Sequence, residues 1–237
     1  MNRNDLLNSL LENNDRQWDI IVIGGGATGL GIALDAVTRG YRTILFEQSD
    51  FSAGTSSRST KLVHGGVRYL AQGDILLVKE ALHERGLMLN NAPHLTSDQE
   101  FIIPAYTWFD CMLYTVGLKF YDFLAGRLSM GRSYFISGPE VKSRLPLINP
   151  KGLKGGIVYH DGQFDDSRMA IALADAFVNR GGIALNYFRV TGLLKDGNNR
   201  ISGVMTSDMN SGQEHLVRGR LVINATGVFA DEIHRMD

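Results

Sequence analysis

Three glycines at fixed spacing carry the clearest chemical signal in this chain. Gly24, Gly26 and Gly29 fall on a G-x-G-x-x-G pattern that directly follows the apolar run from Ile20 to Ile23. The first glycine permits a sharp turn, the second lets the backbone approach a pyrophosphate, and the third lets a helix pack against the strand. A helix that begins here points free N–H groups and its positive dipole end at the phosphates. The pattern predicts a phosphate-binding turn between a strand and a helix.

An acidic residue follows where a nucleotide ribose would need it. Glu47 ends the next predicted strand, 18 residues after Gly29, and its carboxylate can accept hydrogen bonds from ribose hydroxyls. The intervening segment has apolar residues at helical spacing and a stop at Gly40. Together these elements predict a complete dinucleotide-binding unit over residues 19–47.

The segment from Phe51 to Leu70 indicates which dinucleotide to expect. It is too polar and glycine-rich for a strand and too long for an ordinary connector, whereas an NAD-type domain usually continues with another strand and helix. Its hydroxyls and amides suit a pyrophosphate and a flavin ring, and Lys61, His64 and Arg68 add cations. A flavin that accepts hydride needs positive charge or N–H donors near its N1–C2 edge. We therefore expect FAD rather than NAD, with a solvated surface loop as the alternative.

A late motif supports the same expectation. Residues 221–223 have the apolar pattern of a buried strand, and Ala225, Thr226 and Gly227 follow as a turn before a predicted helix. In two-part FAD domains a late strand returns to the nucleotide site and ends in such a turn. The pairing of this motif with the first one makes it more specific than either alone.

Apolar periodicity predicts two long helices. Asp74 can cap a helix that runs to about residue 90. Apolar residues from Phe109 to Leu124 recur at helical spacing, and Cys111 among them is predicted to lie in the core. Core packing of this stripe is favoured over docking on a bilayer surface because flanking basic residues are sparse.

Shorter elements follow from breakers and caps. A strand is predicted over residues 101–105, with Pro104 placing it at a sheet edge or terminus. Ser137 and Glu140 have the spacing of a capping box. A strand is also predicted over residues 183–189.

Several stretches together resemble one family. They are Ile23 to Asp35 with Arg39-Gly40, Gly54 to Leu70, Tyr121 to Gly126, Asp161 to Asp166, and Ile223 to Gly227. On these stretches the chain resembles the N-terminal part of the FAD-dependent glycerol-3-phosphate dehydrogenases, in the D-amino-acid-oxidase-like flavoprotein superfamily. The run from Ser59 to Leu70 is the most specific, because other flavin oxidases of the superfamily seldom carry it in full. Leu30 and His160 depart from the family, which usually has a small residue and often a tyrosine there.

The resemblance implies an α/β fold with two interleaved domains. A Rossmann-like FAD-binding domain of the glutathione-reductase type would carry an inserted, partly complete α+β substrate domain. The expected boundaries are residues 17–94 for the first part of the FAD-binding domain, 95–163 for the substrate (cap) segment and 164–237 for the second part. Family members are much longer, and residue 237 falls within a predicted helix. We therefore expect the chain to be truncated at 237 and inactive in isolation.

The activity implied is oxidation of sn-glycerol 3-phosphate to dihydroxyacetone phosphate, with electrons passed to membrane quinone. Hydride leaves C2 for the flavin while a base removes the hydroxyl proton. Three alternatives stay open: a glycerol-3-phosphate oxidase that uses oxygen, another oxidase of the same superfamily, and a non-catalytic FAD-binding fragment. The run from Ser59 to Leu70 argues against another oxidase of the superfamily.

The cofactor-binding residues that motif and resemblance imply surround the flavin nucleotide. They are Gly24, Gly26, Ala27, Thr28, Gly29, Glu47, Gln48, Thr55, Ser56, Ser57, Ser59, Lys61, Leu62, His64, Gly65, Gly66, Val190, Ala225, Thr226 and Gly227. For Val190, backbone contact with adenine and an ordinary place in a strand are both open.

The substrate phosphate needs guanidinium or ammonium partners, and arginine offers bidentate geometry. Arg68 is the best candidate, with Lys61 as a second cation and a structural ion pair as the alternative role of the arginine. His64 is a candidate base, although contact with the flavin or simple packing is favoured. The main base is expected outside this chain. For Asp165, Asp166 and Arg168, a helix cap with local ion pairing is favoured over catalysis.

Composition limits the remaining classes. Of the residues, 44% are apolar and 21% charged, and the net charge of −1 gives no electrostatic reason to expect nucleic acid. A single cysteine, Cys111, excludes an intrachain disulfide and a cysteine-based metal site, and no metal is expected. Charges interrupt the most apolar stretch, residues 108–128, so no transmembrane helix is predicted. We expect a cytoplasmic protein that can associate peripherally with the inner face of the cytoplasmic membrane, and a homodimer stays open.

Overall fold

The computed structural model describes residues 2–13 and 16–237. The chain forms two compact units: Met1–Ser59 together with Asp166–Asp237 is the first unit, and Thr60–Asp165 is the second unit. The second boundary lies within two residues of the predicted one. The first lies before residue 60 instead of after residue 94, because residues 60–94 pair and pack with the sheet of the second unit.

The helices and strands are as follows. The helices are α1 (Arg3–Glu12), α2 (Ala27–Thr38), α3 (Val67–Ala71), α4 (Ile75–Asn91), α5 (Trp108–Ala125), α6 (Gly138–Arg144), α7 (Asp166–Asn179) and α8 (Ala230–His234). The strands are β1 (Trp18–Ile23), β2 (Thr43–Phe46), β3 (Leu62–Val63), β4 (Thr96–Ala105), β5 (Tyr134–Ser137), β6 (Gly155–Phe164), β7 (Ile183–Leu185), β8 (Phe188–Lys195), β9 (Ile201–Asp208) and β10 (Glu214–Asn224).

The first unit is built on a sheet in the order β7-β2-β1-β10-β9-β8. The strands β7, β2, β1 and β10 are parallel, while β10, β9 and β8 pair antiparallel. Strand β10 changes partner along its length, pairing with β9 over residues 214–218 and with β1 from Gly219 to Asn224. The predicted α/β class with a Rossmann-like parallel sheet is confirmed.

Both faces of the parallel strands are covered, as expected of such a sheet. On one face, Ile21 and Phe46 pack with residues of β8, β9 and β10 such as Phe188 and Val217. On the other face, Val22 and Leu45 pack with α2 and α7 through Leu30, Ala33, Ala170, Ala174 and Phe177. The side chain of Leu30 is fully buried there.

The strand predicted over residues 183–189 is two strands, so that prediction is wrong. Strand β7 ends at Leu185 and pairs in parallel with β2, while β8 begins at Phe188 and pairs antiparallel with β9. Between them Tyr187 has φ 54°, in the left-handed region. The break is stabilised by long-range backbone hydrogen bonds from Tyr187 N–H to the Ser49 carbonyl and from Met209 N–H to the Tyr187 carbonyl, which a local pattern does not report.

The late strand is confirmed as part of β10, but its residues 221–224 are not buried as their apolar pattern suggested. Leu221 is 51% exposed, and Val222 and Ile223 are half-buried. The turn and helix after this strand are present as a 3₁₀ turn, Gly227–Phe229, and the short helix α8.

The second unit has β6 at its centre. Strand β4 pairs along one side of β6, and β3 and β5 pair along the other side. The predicted edge position of residues 101–105 is confirmed, since β4 pairs only with β6 among the described residues. The segment 51–70, for which no helix was predicted, contains β3 and the short helix α3 as well as a 3₁₀ turn at Thr55–Ser57.

Of the helix caps predicted at Asp74 and Ser137, the first is confirmed and the second is wrong. Asp74 caps α4 by accepting a hydrogen bond from Leu77 N–H at 3.2 Å. The predicted capping box at Ser137 and Glu140 is wrong: the Ser137 side chain makes no cap hydrogen bond, and Glu140 pairs with Arg144 one turn later at 2.7 Å.

The apolar stripe of α5 is mostly on the outside, so its predicted core packing is wrong. The inward positions are Cys111, Leu118, Tyr121 and Ala125, all buried. The residues on the other side, which we call the outer face of α5, are exposed: Trp108, Phe109, Met112, Leu113, Val116, Phe120 and Phe123. Periodicity alone cannot orient a helix that is apolar on two faces. None of the helices in the described part of the chain has both the length and the hydropathy to cross a membrane.

Candidate cofactor-binding site

The carboxyl ends of three parallel strands meet at one edge of the first unit. Ile23 pairs in register with Phe46 on β2 and with Asn224 on β10. Beyond the strands, Gly24 N–H donates to the Phe46 carbonyl and Ala225 N–H donates to the Ile23 carbonyl, both at 2.8 Å. The glycine turn, Glu47 and the Ala-Thr-Gly turn therefore lie together, at the edge where α/β sheets bind ligands.

The glycine turn is packed so closely that side chains would not fit. Gly24 has φ 110°, and a Cβ there would lie 2.6 Å from the Ala225 carbonyl oxygen. A Cβ on Gly29 would lie 1.9 Å from the Gly24 carbonyl oxygen, and one on Gly26 would lie 2.9 Å from Ser56 Oγ. The first and third glycines thus let turn, helix and β10 meet, and the second leaves an open cradle. This is the geometry that a pyrophosphate requires.

Glu47 has its carboxylate turned back on the same turn. Its Oε2 accepts a hydrogen bond from Gly25 N–H at 2.6 Å, and its Oε1 accepts one from Ser49 N–H at 2.8 Å. Each carboxylate oxygen can accept more than one hydrogen bond, so these contacts position the group and leave capacity for hydroxyls. The ribose contact of Glu47 stays a prediction.

A groove of about 500 Å³ runs past these groups. The predicted residues that line it are Gly24, Gly26, Thr28, Glu47, Gln48, Thr55, Ser56, Val190, Ala225, Thr226 and Gly227. The predicted residues Ala27, Gly29, Ser57 and Ser59 lie outside the lining. Ala27 N–H donates to Ser56 Oγ at 2.9 Å, and Ser59 Oγ donates to the buried Asp166 carboxylate at 2.7 Å.

Sequence reasoning missed part of the groove. The residues that it did not name are Ile23, Phe46, Ser49, Ala53, Gly54, Arg58, Phe188, Arg189, Val228, Phe229, Glu232, Ile233 and Met236. Among the described residues of the lining, Arg58 and Arg189 are the only cations, and they would bring positive charge to an anionic ligand. Arg58 lies within the polar segment that the sequence singled out, and Arg189 precedes Val190, so both were within reach of the same signal.

The second unit holds the other predicted residues around a cavity of about 370 Å³. The predicted residues that line it are Leu62, His64, Gly66 and Arg68, and the others are Val67, Tyr69, Gln72, Phe101, Tyr159 and Asp161. Lys61 and Gly65 are not part of this lining. Lys61 has φ 59°, and its carbonyl accepts a hydrogen bond from Phe164 N–H at 3.0 Å. The roles proposed for these residues stay predictions.

The surroundings of two tyrosines, Tyr121 and Tyr159, raise the pKa values of their hydroxyls. Burial raises the pKa of Tyr121, and the negative charge of Asp161 raises it further. Burial also raises the pKa of Tyr159, and Asp161 adds to the shift while the positive charge of Arg68 opposes it. Both hydroxyls are therefore protonated at neutral pH, and that of Tyr121 donates to the Asp161 carboxylate. Arg68 and Tyr159 line the same cavity.

One charged cluster escaped sequence analysis altogether. Arg85, Asp161 and Tyr121 form a buried hydrogen-bonded group in the second unit. The signal was present, because Arg85 continues the helical spacing of the buried residues Val78 and Leu82 along α4. A cation on the buried stripe of an amphipathic helix needs a buried anion.

A parallel sheet with a glycine turn, a closing acid and a groove at its carboxyl edge defines a dinucleotide-binding α/β protein. The family model described as "FAD dependent oxidoreductase" matches residues 19–237. The chain belongs to this family, and the prediction of FAD as the cofactor is confirmed.

The amino-acid sequence is also similar to those of individual known proteins. Over 236 residues the chain is 47% identical to the mitochondrial glycerol-3-phosphate dehydrogenase of Homo sapiens, an alignment that covers 94% of this chain and 32% of the human protein. A probable mitochondrial glycerol-3-phosphate dehydrogenase of Caenorhabditis elegans is 43% identical, with 99% of this chain and 33% of that protein covered. The predicted resemblance is confirmed, and the chain spans about one third of the length of these relatives.

Solved structures agree. The glycerol-3-phosphate dehydrogenase of Bacillus halodurans, complexed with FAD, has a TM-score of 0.74 at 32% identity, covering 99% of this chain and 38% of that one. The L-α-glycerophosphate oxidase of Mycoplasma pneumoniae, with FAD bound, has a TM-score of 0.66 at 17% identity, covering 93% of this chain and 57% of that one. The second likeness concerns the fold alone.

Proposed function

We propose that this chain is the FAD-binding portion, with part of the substrate site, of an enzyme that oxidises sn-glycerol 3-phosphate to dihydroxyacetone phosphate. The observation that carries the proposal is the 47% identity over 236 residues to the human mitochondrial glycerol-3-phosphate dehydrogenase. The substrate is inferred from the name of that relative. The groove of the first unit has the glycine cradle and the cations that an FAD-binding site needs.

The first unit would hold the nucleotide through its backbone. The cradle at Gly26 and the N-terminal end of α2 suit the pyrophosphate, with Arg58 and Arg189 as cations in the same groove. Glu47 and the turn at Thr226 would flank the remaining polar groups. When bound, FAD supplies a two-electron acceptor for a hydride from the alcohol carbon.

The second unit would recognise the phosphate. Arg68 is exposed at the cavity that also holds His64 and Tyr159. A guanidinium can bind a phosphate dianion through two parallel hydrogen bonds, and the protonated Tyr159 hydroxyl can donate another. Lys61 is the second predicted cation. One arginine neutralises a dianion incompletely, so the site needs further cations besides Arg68.

The test is an anaerobic reduction assay on FAD-loaded protein. We expect sn-glycerol 3-phosphate to bleach the flavin absorbance, and glycerol at equal concentration to do so far more slowly because it has no phosphate. Residues 1–237 and the complete translated protein in which they occur should be assayed in parallel, with turnover expected from the complete protein and none from residues 1–237. The proposal would be contradicted if amino acids bleached the flavin absorbance and sn-glycerol 3-phosphate did not.

We also propose that the electrons pass to quinone and that the protein associates peripherally with the inner face of the cytoplasmic membrane. The support is the outer face of α5, which exposes four aromatic side chains: Trp108, Phe109, Phe120 and Phe123 are exposed to 66%, 66%, 39% and 77%. Such apolar faces suit the boundary between headgroups and acyl chains. Adding ubiquinone analogues or oxygen to the reduced protein identifies the acceptor, and faster reoxidation by oxygen would favour an oxidase.

A further inference from the structure

A buried ion pair lies next to the segment that carries His64 and Arg68. Arg85 is 2% exposed and Asp161 is 3% exposed, and Nη1 of Arg85 donates to Oδ1 of Asp161 at 2.7 Å. Taking two charges out of water is costly, and apolar residues of similar volume often stabilise a core as well or better. Packing alone therefore does not account for a buried ion pair at this place.

Tyr121 completes the surroundings of the carboxylate. Its hydroxyl lies 3.2 Å from Oδ1 and 3.1 Å from Oδ2 of Asp161, and the ring lies 5.8 Å from the Arg85 guanidinium. Arg85 also donates to the His160 carbonyl at 3.2 Å. The carboxylate is thus held from two helices, α4 and α5, while it stands on strand β6.

The same carboxylate binds the backbone beside the cavity. Gly65 N–H donates to Oδ1 of Asp161 at 3.1 Å, in a buried hydrogen bond. Strand β3 pairs with β6 through Leu62 opposite Gln163 and Val63 opposite Gly162. The next β6 residue is Asp161, so its side chain continues the attachment where the backbone ladder stops.

The glycines of this segment are packed directly on the cluster. A Cβ on Gly65 would lie 2.3 Å from the Tyr121 hydroxyl and 2.3 Å from a methyl of Leu82. Gly66 has φ 75° and begins α3, which carries Arg68 in its first turn. Between Val63 and Arg68 the backbone path therefore depends on one anchored amide and one left-handed glycine.

We propose that Asp161 is a positioning residue: held by Arg85 and Tyr121, it anchors the Gly65 amide and so fixes Arg68 in the phosphate site. The inference rests on the proposed function for the phosphate, while the anchor itself concerns only the second unit. Asp161 lines the same cavity as Arg68, and the role proposed for it acts through the Gly65 backbone and not through contact with the substrate. Loss of the anchor should loosen ground-state phosphate binding and leave the chemical step largely intact.

The first test is amide hydrogen exchange of the FAD-loaded protein, comparing wild type with Asp161→Asn. The amide isostere loses the negative charge that pairs with Arg85 and one of the two oxygens that accept hydrogen bonds, which weakens the hold on the Gly65 amide. We expect residues 62–69 to exchange about tenfold to a hundredfold faster, with β4 unchanged. Glu80→Gln is the matched control, because Glu80 is an exposed carboxylate on α4 in the same unit, and it should leave exchange unaltered. Unchanged exchange at residues 62–69, or equal acceleration throughout the second unit, would overturn the proposal.

The second test separates KM from kcat with sn-glycerol 3-phosphate and the complete protein. A misplaced phosphate ligand should raise KM about tenfold to a hundredfold and change kcat only a few-fold, whereas Glu80→Gln should change neither. A fall in kcat at constant KM would overturn the proposal. If wild type does not oxidise this substrate, the proposed function fails, and the exchange experiment still decides whether Asp161 anchors the segment.

Tyr121→Phe covers the case in which Asp161→Asn does not fold. It removes one donor from Asp161 and keeps the ring and the ion pair with Arg85. We expect the same changes in exchange and KM at smaller size. Wild-type values of both in Tyr121→Phe, together with an unfolded Asp161→Asn, would assign the cluster to stability alone and overturn the proposal.

Discussion

At the scale of single residues, Gly26 is the position where a side chain and the cofactor compete for the same space. A Cβ at this position would lie 2.9 Å from Ser56 Oγ, so Gly26→Val would fill the cradle. We expect the variant to fold and to lose FAD binding, measured as flavin absorbance of the purified protein and by titration with added FAD.

Gly31→Val is the matched control for that experiment. Gly31 lies in α2, the helix that Gly26 precedes, and a Cβ there would meet no atom within 4 Å outside the adjacent backbone of the helix. This variant should bind FAD as wild type does. Equal FAD affinity of Gly26→Val and Gly31→Val would show that the cradle does not hold the pyrophosphate.

Arg68 is the residue on which recognition of the phosphate is predicted to depend. Arg68→Ala should cost about 2–5 kcal/mol in kcat/KM for sn-glycerol 3-phosphate, by analogy with truncation of one partner of a desolvated charge pair. The loss should be far smaller for glycerol. Steady-state kinetics with both substrates measure the difference, and Arg127→Ala, at another exposed arginine of the second unit, serves as control. Equal loss for both substrates would assign Arg68 a structural or flavin-directed role.

At the scale of elements, α1 is attached to β9 by a charged contact. Arg3 forms an ion pair with Asp208, whose side chain is 4% exposed. Burial raises the pKa of Asp208, but hydrogen bonds from Asn210 N–H and Ser211 Oγ and the contact with Arg3 lower it by more, so the net pKa is depressed. A depressed carboxyl pKa contributes stability that is present above the unfolded pKa of about 3.9 and is lost as the pH falls through the folded pKa.

Asp208→Asn should therefore destabilise the protein in a pH-dependent way. We expect a loss of about 1–3 kcal/mol in the free energy of unfolding at pH 7, measured by urea denaturation. The difference from wild type should shrink as the pH falls below the unfolded pKa of about 3.9 towards the depressed pKa of the folded state. Asp231→Asn, at an exposed aspartate of α8, should show little difference at pH 7 or at pH 3. A loss of equal size at pH 3 and pH 7 would contradict an ionic origin.

The outer face of α5 predicts membrane behaviour. Phe120→Ser with Phe123→Ser should leave the thermal midpoint within about 2 °C, because exposed positions contribute little to stability, and should reduce flotation with anionic liposomes. Leu147→Ser is the control, since Leu147 is fully exposed in the same unit but away from α5. A large drop in thermal midpoint without loss of flotation would show that the face packs in a protein core.

At the scale of the whole molecule, cofactor binding and folding are linked. A ligand that binds only the folded state adds about 2.7 kcal/mol of stability at a concentration of one hundred times its Kd. We expect added FAD to raise the thermal midpoint of the apoprotein in a concentration-dependent manner. NAD at the same concentrations should not, and a shift with NAD alone would contradict the cofactor assignment.

Much of the fold could be predicted because its causes are local. The strand–glycine–helix unit, Glu47 at the end of β2, the cap at Asp74 and the edge position of β4 follow from neighbours in the chain, where periodicity, capping and proline chemistry act. The capping box at Ser137 failed although its spacing was right, because Glu140 finds Arg144 one turn later. A spacing rule gives the opportunity for a contact and does not choose between competing partners.

What the sequence by itself determined is the kind of turn that meets the phosphates, the family and the cofactor, because glycine positions and flanking apolar runs act within a few residues of one another. Only the tertiary structure decided three further features. It decided which side of α5 faces outward, since that helix is apolar on two faces. It divided residues 183–189 between two strands, since residues 183–185 pair in parallel with β2 while residues 188 and 189 pair antiparallel with β9. It also brought Arg85, Tyr121 and Asp161 to the Gly65 amide, because a buried charge is stabilised by partners that are neighbours in space and distant in the chain.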